Sequence, residues 1–415
     1  MRSIIACLRW WAAGLCITEG RKMFDEKRLL CDCEALQPYA LDIFHELHQN
    51  PERSGEEIKT NLLIRRELEK HGISYEAPFD NLTIAVIRGD KQGHTVGLRC
   101  DTDALPVQEE TGLPYASCVP GVMHACGHDG HVTIGLCTAV LLKKYQQEMH
   151  GTVKVIFQSA EEIGRGAEEA IHTGLLDDVE VFFAIHLWSP YESGMLHISP
   201  IVVSAAVDAF DIRITGKGGH GATPHLCNDA LVCASELVVA LQSVVSRHVP
   251  PTEAAVLTVG TLQAGTAYNI VAEEAVLTGT IRTVDEDTRL EVVDRMEKLA
   301  SGIAAGHGCT AKVNNIHRHD VVRNDAAPAA LARQCALRVT DEQHVREQRT
   351  MMLGDDFCAY RRIAPCCYAQ VGIADASVGS DAAHHNGKFR VDERVLPVSV
   401  AWMTLFSLEA GENGI

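Results

Sequence analysis

The sequence predicts an α/β protein: a three-layer α/β/α domain interrupted by an inserted ferredoxin-like α+β domain. Three observations carry this. Short continuous apolar runs at 153–158 and 181–185 alternate with helical stretches, as expected of strands buried on both faces. Between 207 and 316 the order becomes β-α-β-β-α-β, the ferredoxin-like arrangement. After 316 the α/β character resumes. A chain of 415 residues suits about two or three domains. The boundaries read as an N-terminal extension at 1–35, a larger domain made of 36–206 and 317–415, and the insertion at 207–316.

Composition narrows the classes. Apolar residues make up 46% and charged residues 22%, enough for a packed core and unlike a disordered chain. A net charge of −18 argues against nucleic acid and anionic membrane surfaces as partners. An anionic substrate would need a local cationic pocket. The 15 cysteines are odd in number and irregularly spaced, so they do not form a disulfide framework. Reduced thiols in a cytoplasmic compartment account for them. Residues 1–17 carry an apolar run interrupted by Arg9, with Arg21 and Lys22 following. This reads either as a weak signal or targeting segment, or as a disordered extension before a second start at Met23. The second reading is favoured. No other segment reads as long and apolar enough to span a membrane.

The elements follow in order. Helices are expected at 40–49 and 56–71; Pro51 stops the first and Gly72 can end the second. Strands are expected at 83–88 and 95–100, a helix at 132–144, a strand at 153–158, a helix at 167–173 and a strand at 181–185. In the insertion, Phe210, Ile212 and Ile214 alternate with Asp211, Arg213 and Thr215, a half-exposed strand. Asn228 or Asp229 can cap a helix to about 247, and Asp285 one to about 305. Strands at 254–262, 273–282 and 309–316 complete the unit. A helix at 329–339, a strand at 367–371 and a final helix at 393–409 return to the larger domain.

The chemistry gathers around Met123-His124-Ala125-Cys126-Gly127-His128-Asp129-Gly130-His131. Cys126 and His128 alternate as two ligands of one ion from one loop would. A Cys–His nucleophile pair is the competing reading. Asp101 and Asp103, Glu161 and Glu162, and His186 each lie just past the end of an expected strand. That is the sheet edge where α/β sites form. Cys100 and Cys137 read as packing, and His225 and His317-Arg318-His319 as surface loop.

Several ordered motifs together resemble the M20 family of metallopeptidases and amidohydrolases. They are Leu98-Arg99-Cys100-Asp101-Thr102-Asp103-Ala104-Leu105-Pro106, Cys126-Gly127-His128-Asp129, Glu161-Glu162, His186-Leu187-Trp188, Gly218-Gly219-His220, Gly279-Thr280-Ile281-Arg282, and His385 before Phe389. The likeness runs from about His48 to the last helix. It is strongest to the branch holding N-acyl-amino-acid amidohydrolases, hippurate hydrolases and auxin-conjugate hydrolases.

The resemblance implies a site for two divalent ions, Zn or Mn by preference, with Co or Ni feasible. Its ligands would be Cys126, as the bridge, with His128, Glu162, His186 and His385. Glu161 would be the catalytic base, and Asp103 would orient a ligand. His220, Asn269 and Arg282 would bind the substrate carboxylate or stabilise the oxyanion, in some relatives across a dimer. Arg282 has a second reading as an ion-pair partner of Asp285 or Glu286. His124, His131 and His384 stay unassigned. Two departures, Gly387 for Pro and Asp355 for Glu, adjoin no expected ligand.

The implied reaction is metal-dependent hydrolysis of the amide bond of N-acyl-L-amino acids, in a homodimer joined through the insertion. A peptidase acting on short peptides is the rival in the same class. A binding protein on a disused hydrolase scaffold is the rival outside it, and the complete set of ligand types argues against that.

Overall fold

The computed structural model describes residues 24–415. The readings of residues 1–23, including the second start at Met23, lie outside the described residues.

The first helix, α1, spans Glu26–Gln49 and so begins well before the expected start at 40. Asp25 caps it, accepting from Lys27 N and Arg28 N. The expected extension to residue 35 is corrected here: Leu29 and Cys33 belong to the main core. Pro38 lies inside the helix and hides its first half from sequence reading. A helical proline costs about 3 kcal/mol. Full burial of Leu29, Phe44 and Leu47, on both sides of it, contributes roughly 1.5–3 kcal/mol each and outweighs that cost.

Helix α2 (Ile58–Lys70) ends at Gly72, whose φ is 62°. Then come β1 (Ser74–Phe79), β2 (Leu82–Arg88), β3 (Lys91–Asp101), α3 (His128–Lys144), β4 (His150–Gln158), α4 (Gly166–His172), β5 (Val181–Glu192), β6 (Leu196–His197) and β7 (Val202–Ser204). The insertion holds β8 (Ala206–Thr215), β9 (Gly219–His220), α5 (Ala230–Ser243), β10 (Ala255–Ala264), β11 (Ile270–Val271), β12 (Glu274–Thr283), α6 (Glu286–Gly306) and β13 (Thr310–His319). The chain closes with β14 (Val322–Arg323), α7 (Ala326–Val339), β15 (Val345–Arg346), β16 (Cys366–Ala374) and α8 (Leu396–Asn413).

The large sheet has eight strands in the order β1-β2-β4-β3-β5-β16-β6-β15. Its centre, β4-β3-β5-β16, is parallel. Side chains alternate across it: Val153, Val155 and Phe157 enter one core, Ile156 the other. The first core lies under α1, α2, α3, α7 and α8; the second lies under α4 and the short helix at Asp356–Arg362. Two buried faces explain the unbroken apolar runs.

The smaller sheet is antiparallel, in the order β10-β12-β8-β13. Helices α5 and α6 cover one face around Phe210, Ile212, Ile214, Leu237 and Val292. One expectation fails here. Residues Ala230–His248 form a helix long and apolar enough to cross a membrane by length and composition. One side of it is buried on the sheet, but Leu231, Val232 and Val239 are exposed, Val239 by 74%.

Candidate active site

The end of β3, the loop after β4, the middle of β5 and the start of α3 converge. Asp101 ends β3, Glu161 and Glu162 follow β4, and His186 lies within β5, which runs on to Glu192. Gly127, with φ 88°, precedes α3 and lets the chain turn between Cys126 and His128. The helix begins at His128 rather than at 132, so His128 and His131 share a face one turn apart. The His385 loop is tied down by His385 N donating to the Ala125 carbonyl at 2.8 Å.

The five expected ligands meet. Cys126, Glu162 and His385 bring their donor atoms within 4.8 Å of one another, and so do His128, Glu161 and Glu162. His186 Nε2 lies 3.8 Å from Cys126 Sγ. The ring partners leave lone pairs facing inward. His128 Nδ1 donates to the Asp103 carbonyl at 2.9 Å, and His186 Nδ1 to the Leu187 carbonyl at 2.8 Å. His128 Nε2 and Glu162 Oε1 are buried and accept or donate no hydrogen bond. His385 Nε2 comes within 3.3 Å of Glu162 Oε1, but without hydrogen-bond geometry.

Such orphaned buried atoms are costly unless something cationic meets them. Three imidazoles, a thiol and a carboxylate fit divalent ions of the Zn type. Burial, then the charges of Glu162 and Glu161, push the Cys126 thiol well up. The ring nitrogen beside the sulfur belongs to His186 rather than to His128. The Cys126–His128 nucleophile pair is therefore not formed.

The surroundings orient the cluster. Asp103 Oδ2 accepts from Glu162 N at 3.0 Å and from Ser54 Oγ at 2.6 Å, while Oδ1 faces His128 Nδ1 at 3.2 Å. Asp101 accepts from His131 Nδ1, and His131 Nε2 accepts from Leu187 N at 2.8 Å. His131 is thus occupied on both nitrogens. Its spacing from His128 was the signal for a shared face, but not for a role. Buried Arg99 donates to Asp101, to Asp355 at 3.1 Å and to Asp356 at 3.0 Å. One guanidinium faces more carboxylates than it can neutralise. Burial and then Asp355 and Glu162 hold the Glu161 carboxyl well above its usual range. Asp355 and Asp356 reach within 4.8 Å of Glu161, so the departure at Asp355 adjoins the expected base.

The expected substrate contacts are not at the cluster. No hydrogen bond or ion pair among the described residues links His220, Asn269 or Arg282 to it. His220 and Asn269 lie together on the exposed β9–β11 ribbon, where Gly221 N donates to the Asn269 carbonyl. Arg282 sits at the far end of β12, eight residues past Glu274 and about 27 Å along the strand. It is half-buried beside Val207 and makes no ion pair with Asp285 or Glu286. The His317–His319 stretch is not surface loop. It ends β13, with His317 Nδ1 3.3 Å from Asp208 and His319 packed where a side chain on Gly164 or Gly354 would stand.

Residues 97–409 match the model of the peptidase family M20/M25/M40. The chain is 36% identical to N-acetylcysteine deacetylase of Bacillus subtilis, over 88% of this chain and 95% of that one. It is 42% identical to N-acyl-L-amino acid amidohydrolase of Geobacillus stearothermophilus, over 64% and 72%. Among solved structures it is similar to a dinuclear metal-binding M20 peptidase of Bacillus subtilis. The TM-score is 0.81 at 31% identity, covering 91% of this chain and 99% of that one.

Proposed function

The chain belongs to the peptidase family M20/M25/M40 and is a metal-dependent amidohydrolase, and from that premise we propose that it cleaves the amide bond of N-acyl-L-amino acids. The observation that carries this is the convergence of Cys126, His128, Glu162, His186 and His385 beside Glu161. In this reading those five side chains would hold two divalent ions, Zn or Mn. Bound there, the ions supply Lewis acidity towards the scissile carbonyl and lower the pKa of water. Glu161 accepts the proton of the attacking water and delivers it to the leaving amine. Burial and the charges of Asp355 and Glu162 raise its pKa, which strengthens it as a proton acceptor. Asp103 keeps His128 in the tautomer whose Nε2 is free.

Substrate recognition falls to Arg282, His220 and Asn269. A guanidinium can bind a substrate carboxylate by a charge-assisted pair. Because Arg282 and the ribbon stand so far apart, one subunit's ribbon would serve its partner's site. That makes the enzyme a homodimer joined through the insertion. Exposed Tyr268, Ile270 and Leu226 around the ribbon support a surface meant to be covered. Thirteen free cysteines among the described residues favour a reducing, cytoplasmic setting.

The test joins metal analysis to a panel of acyl amino acids and short peptides. Chelation should abolish turnover, and added Zn or Mn should restore it. Glu161→Gln should retain metal and lose about 10²–10⁴-fold in kcat. Full turnover by Glu161→Gln would remove Glu161 from the mechanism. Faster cleavage of peptides than of acyl amino acids would favour the peptidase reading, which the B. subtilis M20 peptidase keeps in view.

A further inference from the structure

We infer that Glu57 is a positioning residue for the Glu161–Glu162 loop, acting through the backbone of Ala160. The inference rests on the roles given above to Glu161 and Glu162.

Glu57 stands first in line before α2, where a side chain would ordinarily cap the helix, yet it makes no cap bond. It is fully buried and turns the other way. Its Oε1 accepts from Gly55 N at 2.9 Å and from Ala160 N at 2.8 Å, across 103 residues of sequence. Oε2 has no partner. Burial, then the charge of Asp103, pushes this carboxyl up to about 7. Oε1 can accept in either protonation state, so the contact does not depend on charge.

Ala160 is what makes the contact matter. Its φ is 56°, in the left-handed region that alanine avoids. Among the described residues only His385 shares this with it outside glycine. A residue persists there only where its surroundings hold it. The carbonyl side is held within the loop, by Arg165 N at 3.1 Å and Gly166 N at 3.4 Å. The N–H side is held by Glu57 alone. The turn falls directly after β4 and sends two consecutive side chains apart. Glu161 faces Asp355 and Asp356, while Glu162 faces Cys126 and His385. Ser54, three residues before Glu57, grips Asp103, which in turn accepts from Glu162 N. The segment 54–57 therefore holds the loop at two points.

The experiment measures kcat, KM and bound metal on one acyl amino acid for Glu57→Leu, Glu57→Asp and Glu57→Gln. Each is also combined with Ala160→Gly, which removes the penalty of the left-handed turn. Glu57→Leu should lose about 10–100-fold in kcat with KM little changed. Glu57→Asp keeps the charge but falls short of Ala160 N–H, so it should lose turnover as well. Glu57→Gln keeps the acceptor and should retain most of it. Ala160→Gly should recover much of the loss in the Leu and Asp variants. Wild-type kcat in Glu57→Asp, or a loss that Ala160→Gly does not repair, would overturn the inference. Should Glu57→Leu fail to fold, the Asp and Gln variants decide alone. The two readings fail differently: an active Glu161→Gln sinks the proposed mechanism, whereas an active Glu57→Asp beside an inactive Glu161→Gln sinks only this one.

Discussion

His48 shows how a single side chain ties the first helix to the site. It is buried, with Nδ1 2.6 Å from Asp129 Oδ2 and Nε2 3.3 Å from Glu109 Oε1. Burial opposes its charge, but the bonds to Asp129 and Glu109 outweigh it and push its pKa up to about 9. A folded value above the ordinary 6.5 means the folded state holds the proton more tightly. The stabilisation is therefore complete below about pH 6.5 and is lost as pH rises through about 9. It should amount to a few kcal/mol. Urea unfolding between about pH 6 and pH 10 should show the decline, and His48→Gln should flatten it. An equal slope in both proteins would refute the assignment. At this scale the sequence was informative where residue type and position after a strand coincide, as for Glu162. It was silent on Glu57, Arg99 and His131. Their roles come from partners far along the chain, and nothing local marks a glutamate that bonds a backbone N–H a hundred residues away.

Helix α3 carries the site because it can approach the sheet closely. A Cβ on Gly135 would lie 2.6 Å from Cys100 Sγ and 3.0 Å from the Phe157 ring; one on Gly130 would lie 2.4 Å from Leu187. These glycines are places where sheet and helix nearly touch. Gly135→Ala should push the helix outward and lower stability by about 1–3 kcal/mol. Thermal unfolding would measure this, and an unchanged midpoint would mean that the layer is looser than described. The types of the longer elements were readable from periodicity, because apolar residues recur at helix or strand spacing wherever a face is buried. Boundaries were not. The start of α1 lay behind Pro38, and the short strands β1, β6, β7, β14 and β15 follow from pairing partners rather than from their own residues. The start of α3 lay inside a histidine-rich stretch that reads as loop.

Over the whole molecule, the large sheet carries the candidate site and the smaller one belongs to the insertion that bears the β9–β11 ribbon. If the ribbon serves a partner's site, weakening the contact between subunits should lower activity and association together. If the exposed face of α5, with Val239, belongs to that contact, it offers the means. Val239→Lys should shift sedimentation towards the monomer and raise KM or reduce kcat, more strongly at low protein concentration. A fully active monomer would contradict shared sites. The ferredoxin-like order was legible as a pattern of elements; the distance between Arg282 and the ribbon was not, because it depends on strand length and direction. The way the insertion is attached has an evolutionary consequence. The chain enters it on β8 and leaves it on β13, and these strands are neighbours, with Val207 opposite His319. Entrance and exit are thus roughly 5 Å apart. An ancestral gene could have acquired or shed the whole block at one splice point, without rethreading a single strand of the larger sheet.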